Sequence, residues 1–255
     1  MMTFFQTAAV AFSMFSAVPT PQFEWNEKNM RYALCAFPLV GVVCAFCWLV
    51  LALLPLPGFL RGALLCLSPA AVTGGIHLDG YADTCDALAS YGDAARKHEI
   101  LKDPHCGAFA VIRLCTYFLL YLALCVTLTP SLRAISCAGL GFILSRTLSG
   151  WAVASLPPAK DSGLAHTFAA AADRCTVRRV LTVLAAALVI AQIVVGGMAG
   201  LAMALAAGLS LWRYAHTAKT QFNGISGDLA GWFLQKCELW QLAALVFCQL
   251  WEEYI

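Results

Sequence analysis

Three acids follow directly on an apolar run long enough to cross a membrane, in the stretch His77-Leu78-Asp79-Gly80-Tyr81-Ala82-Asp83-Thr84-Cys85-Asp86. On a helix, Asp79, Asp83 and Asp86 are spaced i, i+4 and i+7 and point the same way within about 60°. Carboxylates are costly at a membrane boundary, and three on one face repel one another unless a positive group binds between them. Mg²⁺ takes carboxylate oxygens and often shares them with substrate phosphates, so the stretch favours a membrane enzyme that handles phosphate.

The composition agrees with a membrane protein. Of the 255 residues, 61% are hydrophobic and 12% are charged, whereas soluble proteins average about 25% charged residues. The net charge of +2 is too small to indicate a nucleic acid partner. Most of the 12 cysteines lie in apolar stretches, which indicates small packed side chains and supports neither a disulfide framework nor a zinc site.

Seven apolar segments have spanning length and predict an all-α, polytopic membrane helix bundle that forms a single domain over residues 1–255. The predicted spans are 33–54, 59–77, 108–128, 133–154, 180–195, 197–213 and 229–250. Residues 4–18 are also apolar but too short to span, and we interpret them as an interfacial or re-entrant helix ended by Pro19 and Pro21.

The basic residues orient this bundle. With a cytoplasmic N-terminus, eleven basic residues lie in the inside segments, whereas the outside turns hold only Arg61 and Arg133. The inside connections, 78–107, 155–179 and 214–228, carry almost every chemically useful residue, which predicts a membrane enzyme with a cytoplasmic active site. The inside basic residues are Lys28, Arg31, Arg96, Lys97, Lys102, Lys160, Arg174, Arg178, Arg179, Arg213 and Lys219.

The first inside connection contains a short helix of its own. Asp93 is predicted to cap a helix over 96–103, which Pro104 ends. Asp103 lies at the end of this helix with Lys102 as its counter-charge. Alone, that pattern indicates a solvated helix; beside the three acids, it adds a further carboxylate to the same connection.

The fourth span and the third inside connection hold further candidates. Arg146 is costly within a span, so we expect it either to pair with a phosphate or an acid of the first connection, or to snorkel to the interface. Gly224, Ser226 and Gly227 precede the last span and permit close backbone approach to a phosphate, and Asp228 is a candidate N-cap.

Taken in series, these residues resemble the family of cobalamin (5'-phosphate) synthases, also called adenosylcobinamide-GDP ribazoletransferases. The resemblance covers essentially the whole chain in the right order, and its most specific segment runs from Gly74 to Leu88. The remaining matching segments are 99–107, Ser145-Arg146, and 224–228 with Glu238. The chain departs from the family pattern at Tyr81, Cys85, 104–106 and Ser226, and lacks an arginine before Val18-Pro19-Thr20-Pro21, but it keeps all the acids.

The resemblance implies the last stage of cobalamin assembly in the bacterial inner membrane. The adenosylcobinamide phosphoryl moiety of adenosylcobinamide-GDP would pass to α-ribazole or its 5'-phosphate, with release of GMP. Mg²⁺ would be held by Asp79, Asp83, Asp86 and Asp103. The candidate substrate-binding residues are Lys102, Arg146, Lys160, Gly224, Ser226 and Gly227. The candidate bases for the ribazole hydroxyl are Asp103, His77 and Asp228, in that order.

Two other functions stay open from the residues alone. A CDP-alcohol phosphotransferase of phospholipid synthesis also uses spaced aspartates and Mg²⁺, but its usual pattern is absent after Asp86, where Ala87-Leu88-Ala89-Ser90 follows. A cation-coupled transporter would place its acids near the midplane and not on one side. Membrane lipid surrounds the chain in each case. A homo-oligomer and a complex with other enzymes of cobalamin assembly both stay open.

Overall fold

The structure, a computed structural model, describes residues 2–159 and 164–254. Across these residues the chain is helical, with one isolated β-bridge and no strand, so the predicted all-α membrane bundle is confirmed. The helices are α1 (Met2–Phe15), α2 (Glu27–Met30), α3 (Ala33–Leu53), α4 (Gly58–Thr73), α5 (Ile76–Ala89), α6 (Ala94–Ile100), α7 (Ala108–Thr127), α8 (Leu132–Ser155), α9 (Leu164–Ala171), α10 (Arg174–Gly196), α11 (Met198–Phe222) and α12 (Gly227–Tyr254).

Each predicted span falls on a helix. By length and apolarity, α3, α7, α8 and α10 can each cross a membrane, and α4 with α5 would make a fifth span if the bent pair counts as one. Helices α11 and α12 are longer, at 25 and 28 residues, but lie outside that set. The chain is therefore a multi-pass membrane protein, with four or five such spans in the described residues. The seven predicted spans are reached only if α11 and α12 also cross the membrane.

The second predicted span, 59–77, was wrong at its C-terminal end. Helix α4 stops at Thr73, and the chain turns through 95° before α5 begins at Ile76. Gly74 (φ +65°) and Gly75 (φ +81°) make this turn in the left-handed region, which costs other residues about 1–2 kcal/mol. The bend changes the direction of the chain just before the three acids.

Helix α8 forms the centre of the bundle, where it packs against α3, α10 and α12. Its contact with α3 is close enough that a Cβ on Gly41 would lie 2.6 Å from the carbonyl oxygen of Phe142. Most residues of α8 are buried, whereas α7 and α10 leave many apolar side chains exposed, as expected for helices that face lipid.

The polar connections meet at one end of the bundle. Ala159 donates to the carbonyl of Ile225 (2.9 Å) and Ile225 to that of Pro157 (3.0 Å), which joins the α8–α9 connection to the α11–α12 turn. Imidazole Nε2 of His98, in α6, bonds the carbonyl of Phe222, at the end of α11, over 2.9 Å. These contacts bring all three predicted inside connections onto one face.

The smaller predicted helices are also present. Asp93 caps α6 by accepting from Arg96 N (2.9 Å), as predicted, and the helix then ends at Ile100. The N-terminal helix α1 ends at Phe15, before the two prolines, and packs on α3. Ala17 then donates to the carbonyl of Val72 (2.9 Å), which holds α1 beside the bend between α4 and α5.

Candidate active site

Four carboxylates converge where α5 meets the start of α12. Asp83 interacts electrostatically with Asp79, Asp86 and Asp228, and Asp228 also interacts with Asp79. Helix α5 supplies the three acids of the opening motif on one face, as its spacing predicts, and α12 supplies the fourth. We call Asp79, Asp83, Asp86 and Asp228 the carboxylate cluster.

Two glycines allow α5 and α12 to touch through their backbones. A Cβ on Gly80 would lie 2.7 Å from the Cα of Asp228, and a Cβ on Gly231 would lie 2.8 Å from the carbonyl oxygen of His77. Real Cβ atoms essentially never come this close to backbone atoms, so larger residues would force the helices apart. The contact sets Asp228 beside the acids of α5.

Asp86 has a second neighbour, the start of α7. Its carboxylate lies over Gly107, the N-cap of α7, in space that a side chain at that position would occupy. The exposed N–H groups of a helix N-terminus favour negative charge. Asp86 therefore has a stabilising partner on α7, in addition to its repulsive interaction with Asp83.

The cluster carries more negative charge than its protein neighbours offset. Over residues 2–159 and 164–254, none of its four carboxylates forms a salt bridge. In that part of the chain, no three His, Cys, Asp or Glu side chains are placed to hold one metal ion. Mg²⁺ often takes only one or two protein carboxylates and completes its shell with water and substrate phosphates. The oxygen donors of the cluster therefore fit a Mg²⁺ site that the substrate completes.

A cavity of about 280 Å³ opens beside the cluster. Asp79 and Asp228 form part of its wall, so these two acids belong to both the cavity and the cluster. The rest of the wall comes from six helices and is mostly apolar. It includes Phe15 of α1, Phe37 of α3 and Phe168 of α9.

His77 lies in the same wall. Its side chain is 6% exposed, its ring lies 5.8 Å from that of Phe37, and its Nε2 is buried without a hydrogen-bond partner. An unsatisfied buried nitrogen costs about 1–3 kcal/mol, so such an atom in a cavity wall indicates a place for a ligand atom.

The acid of the first connection, Asp103, has a hydrogen-bond partner of its own. Asp103 is exposed and bonds His105, through its backbone N–H (3.0 Å) and its imidazole Nδ1 (2.7 Å). The charged groups that act most on Asp103 are His105 and Arg96. Lys102 is exposed beside it, and Lys160 lies outside the described residues.

The glycines before α12 have different surroundings. Gly224 (φ +149°) approaches the protein's own backbone, because a Cβ there would lie 2.5 Å from Ala159 N. The hydroxyl of Ser226 accepts from Leu229 N (3.3 Å), so Ser226 takes the capping role that was considered for Asp228. Gly227 lies in the cavity wall, where the absence of a side chain keeps the space beside Asp228 open.

Arg146 has a protein partner that was not predicted. Its guanidinium Nη1 lies 2.6 Å from Oε1 of Glu238, on α12, and both side chains are almost fully buried, at 1% and 2% exposed. The same Nη1 donates to the carbonyl of Phe142 (3.0 Å). The expectation that Arg146 needs a partner is confirmed, but the acid is Glu238 and not one of the first connection, and the burial of Arg146 rules out snorkelling. A link between Arg146 and Glu238 requires the packing of α8 on α12, which the sequence does not show.

The aromatic wall of the cavity was not predicted from the sequence. Phe15, Phe37 and Phe168 belong to three helices far apart in the chain, and each alone has the pattern of an ordinary core residue. The only signal in the sequence for this aromatic wall is the presence of large aromatic residues near the prolines that follow α1 and in the second connection.

Comparison with known proteins identifies relatives of this chain. The family model described as cobalamin-5-phosphate synthase matches residues 7–246. A protein named adenosylcobinamide-GDP ribazoletransferase from Lachnoclostridium phytofermentans is 42% identical over 94% of this chain and 93% of its own length. Proteins of the same name from Clostridium perfringens (strain SM101 / Type A) and Pseudomonas savastanoi pv. phaseolicola are 30% and 33% identical, over 92% and 86% of this chain and 94% and 90% of their own. No solved structure matches.

The buried ion pair generates a prediction about stability. Arg146→Met or Glu238→Met alone leaves one buried charge unpaired, which costs about 3–5 kcal/mol. The double variant removes both charges and should recover most of that loss. Denaturant or thermal unfolding of the four purified proteins measures the coupling. Additive losses in the double variant would contradict a mainly structural pair.

Proposed function

The chain belongs to the cobalamin-5-phosphate synthase family, and we propose that it transfers the adenosylcobinamide phosphoryl moiety of adenosylcobinamide-GDP to α-ribazole at the carboxylate cluster. It is a transferase of cobalamin biosynthesis that acts at the final step of assembly. The observation that supports the proposed site is the pair Asp79 and Asp228, which belong both to the cavity wall and to the carboxylate cluster.

The reaction is a displacement at a phosphoanhydride. A ribose hydroxyl oxygen of α-ribazole forms a new bond to the phosphorus of the adenosylcobinamide phosphate, and the bond from that phosphorus to the bridging oxygen breaks. GMP departs with the bonding electrons, and the hydroxyl proton passes to a base. The barrier to such a step is lowered chiefly by alignment of the two substrates and by neutralisation of phosphate charge.

Mg²⁺ is the cofactor that we propose for this site. The cluster supplies oxygen donors of the type that Mg²⁺ prefers, and Asp79 and Asp83 share the side of α5 that faces Asp228. When bound there, Mg²⁺ would neutralise the pyrophosphate and polarise the bond that breaks. These carboxylates lie close together and have no salt-bridge partner among the described residues, so that an ion and the substrate phosphates could be bound together.

Asp228 is the base that we propose for the ribazole hydroxyl. It lies in both the cluster and the cavity wall. Asp103, the first candidate from the sequence, is less suited: the backbone N–H and imidazole of His105 hold its pKa below the usual range. A lower pKa makes a weaker base. His77 is a candidate for a different role.

The cluster is proposed to face the cytoplasm of a bacterial inner membrane. The basic residues concentrate in the connections at this end of the bundle, and such residues remain inside. The nucleotide substrate would then bind from the cytoplasm, and the nucleotide product would be released into it. Family membership disfavours a phospholipid-synthesis enzyme or a transporter, since neither is what the matching relatives are named.

The reaction itself is tested by GMP release from the detergent-solubilised protein. Adenosylcobinamide-GDP, α-ribazole and Mg²⁺ together should yield GMP and the adenosylcobalamin product. Either substrate alone should not, and Mn²⁺ should substitute for Mg²⁺ in part. Excess EDTA should stop release, and added Mg²⁺ should restore it. Full activity in EDTA would rule out the metal, whereas absence of GMP with all components present would rule out the reaction.

The cluster is tested by exchange of one acid for its amide. Asp83→Asn keeps the side-chain shape but removes a charge, and should lower the rate of GMP release by more than about tenfold, or ~1.4 kcal/mol. Asp93→Asn is the matched control, because Asn caps α6 as well as Asp does and lies outside the cluster. Asp103→Asn should resemble the control. A large loss there instead would return Asp103 to the metal ligands, as the family resemblance implied.

The orientation is tested with cysteine labelling of intact cells. Cys106 is exposed in the connection before α7, at the cluster end of the bundle, so a membrane-impermeant maleimide should reach it only after lysis. Cys106→Ala identifies its share of the label. Pro130→Cys, in the exposed connection at the opposite end of α7, should react in intact cells. Labelling of Cys106 from outside would reverse the orientation.

A further inference from the structure

We propose that the cavity beside the cluster binds the planar nitrogen heterocycle of the acceptor nucleoside, and that Nε2 of His77 forms a hydrogen bond to its unsubstituted ring nitrogen. This inference rests on the proposed function and specifies where one substrate binds. It gives His77 a role in recognition and leaves the proton transfer to Asp228.

The size of the cavity selects the smaller substrate. About 280 Å³ lies just below the ~300–1,000 Å³ typical of pockets for drug-sized ligands. A bicyclic heterocycle fits such a space, whereas a corrin macrocycle does not. The corrinoid must therefore approach the cluster from outside the cavity, and the two substrates meet at the acids that the cavity and cluster share.

The wall of the cavity suits a flat aromatic ring. The rings of Phe15 and Phe37 lie 4.3 Å apart by their centroids, and those of Phe15 and Phe168 lie 5.4 Å apart. Met14 adds a polarisable thioether. Aromatic faces stack favourably on planar heterocycles, and a methionine adapts to the remaining shape.

His77 supplies the polar contact inside this apolar wall. A neutral imidazole that carries its proton on Nε2 donates one hydrogen bond, and no described residue accepts it. A heterocycle bound through a sugar on one nitrogen offers its other ring nitrogen as an acceptor. That pairing would satisfy the buried nitrogen and orient the ring, since the apolar wall offers the ligand few other polar contacts.

The two acids of the cavity wall then determine where the sugar of the nucleoside lies. Asp79 and Asp228 lie at the polar part of the wall, so a ribose attached to the buried ring emerges beside the carboxylate cluster. No lysine or arginine is among the described residues of the wall. A phosphate on the 5'-position would therefore remain outside the cavity, and should add little to the binding of the heterocycle.

The experiment measures binding of α-ribazole alone to the detergent-solubilised full chain by titration calorimetry. Val153→Phe adds a ring inside the cavity and should weaken binding at least tenfold. Val183→Phe makes the same change on the exposed, 70% accessible face of α10 and should bind like wild type. In turnover, Val153→Phe should raise the KM for α-ribazole and leave that for adenosylcobinamide-GDP unchanged.

The hydrogen bond is tested with a ligand that lacks the acceptor. An analogue with a C–H in place of the unsubstituted ring nitrogen should bind wild type roughly tenfold more weakly than α-ribazole. His77→Leu should abolish that preference, and His77→Gln, which keeps a donor, should restore part of it. The analogue measurement on wild type needs no variant, so it decides the question even if a substituted chain fails to fold.

The outcomes separate this inference from the proposed function. Normal GMP release by wild type together with unchanged α-ribazole binding in a folded Val153→Phe would overturn the cavity assignment alone. Equal affinity of wild type for α-ribazole and the analogue would overturn the role of His77 alone. Failure of wild type to release GMP from both substrates would overturn the proposed function, whatever the cavity binds.

Discussion

The arrangement of the whole site depends on the direct backbone contact between α5 and α12. Gly80 and Gly231 permit it, and a Cβ at either position would lie within 2.8 Å of backbone atoms on the other helix. Because the contact is rigid, Asp228 is held beside acids that repel it, at a cost that the folded bundle must offset. The same helix α12 continues to Glu238, whose buried ion pair with Arg146 fixes its position against the central helix α8.

The close packing gives two acids a double role. Asp79 and Asp228 lie where an apolar cavity meets a cluster of uncompensated negative charge. In the proposed function, the cavity would hold a small aromatic substrate by dispersion and one hydrogen bond, and the cluster would act on phosphates through a cation. A hydroxyl at the boundary would then be placed by one kind of interaction and would attack a group placed by the other. Binding and charge neutralisation can then be adjusted by different residues.

The sequence predicted features that depend on local pattern. The helices, the shared face of the three acids and the Asp93 cap all follow from spacing within a few turns, and the family resemblance follows from the order of short motifs along the chain. It could not predict which distant residues meet. Asp228 resembled a helix cap until packing placed it in the cluster, and Glu238 became the partner of Arg146 only because α8 and α12 lie side by side. Asp103, which the family resemblance implied as a metal ligand, is paired in the structure with His105.

The bend between α4 and α5 explains how a chain this apolar presents so many acids. A helix that continued straight from α4 would carry Asp79, Asp83 and Asp86 away from the bundle, with no neighbour to pack on. The 95° turn at Gly74 and Gly75 instead lays α5 against α12 and α7. The apolar residues of α5 are buried there, and its acids are brought to Asp228 and to the start of α7. Two glycines with positive φ therefore redirect the chain at the end of an apolar segment so that α5 can carry the acids of the proposed active site.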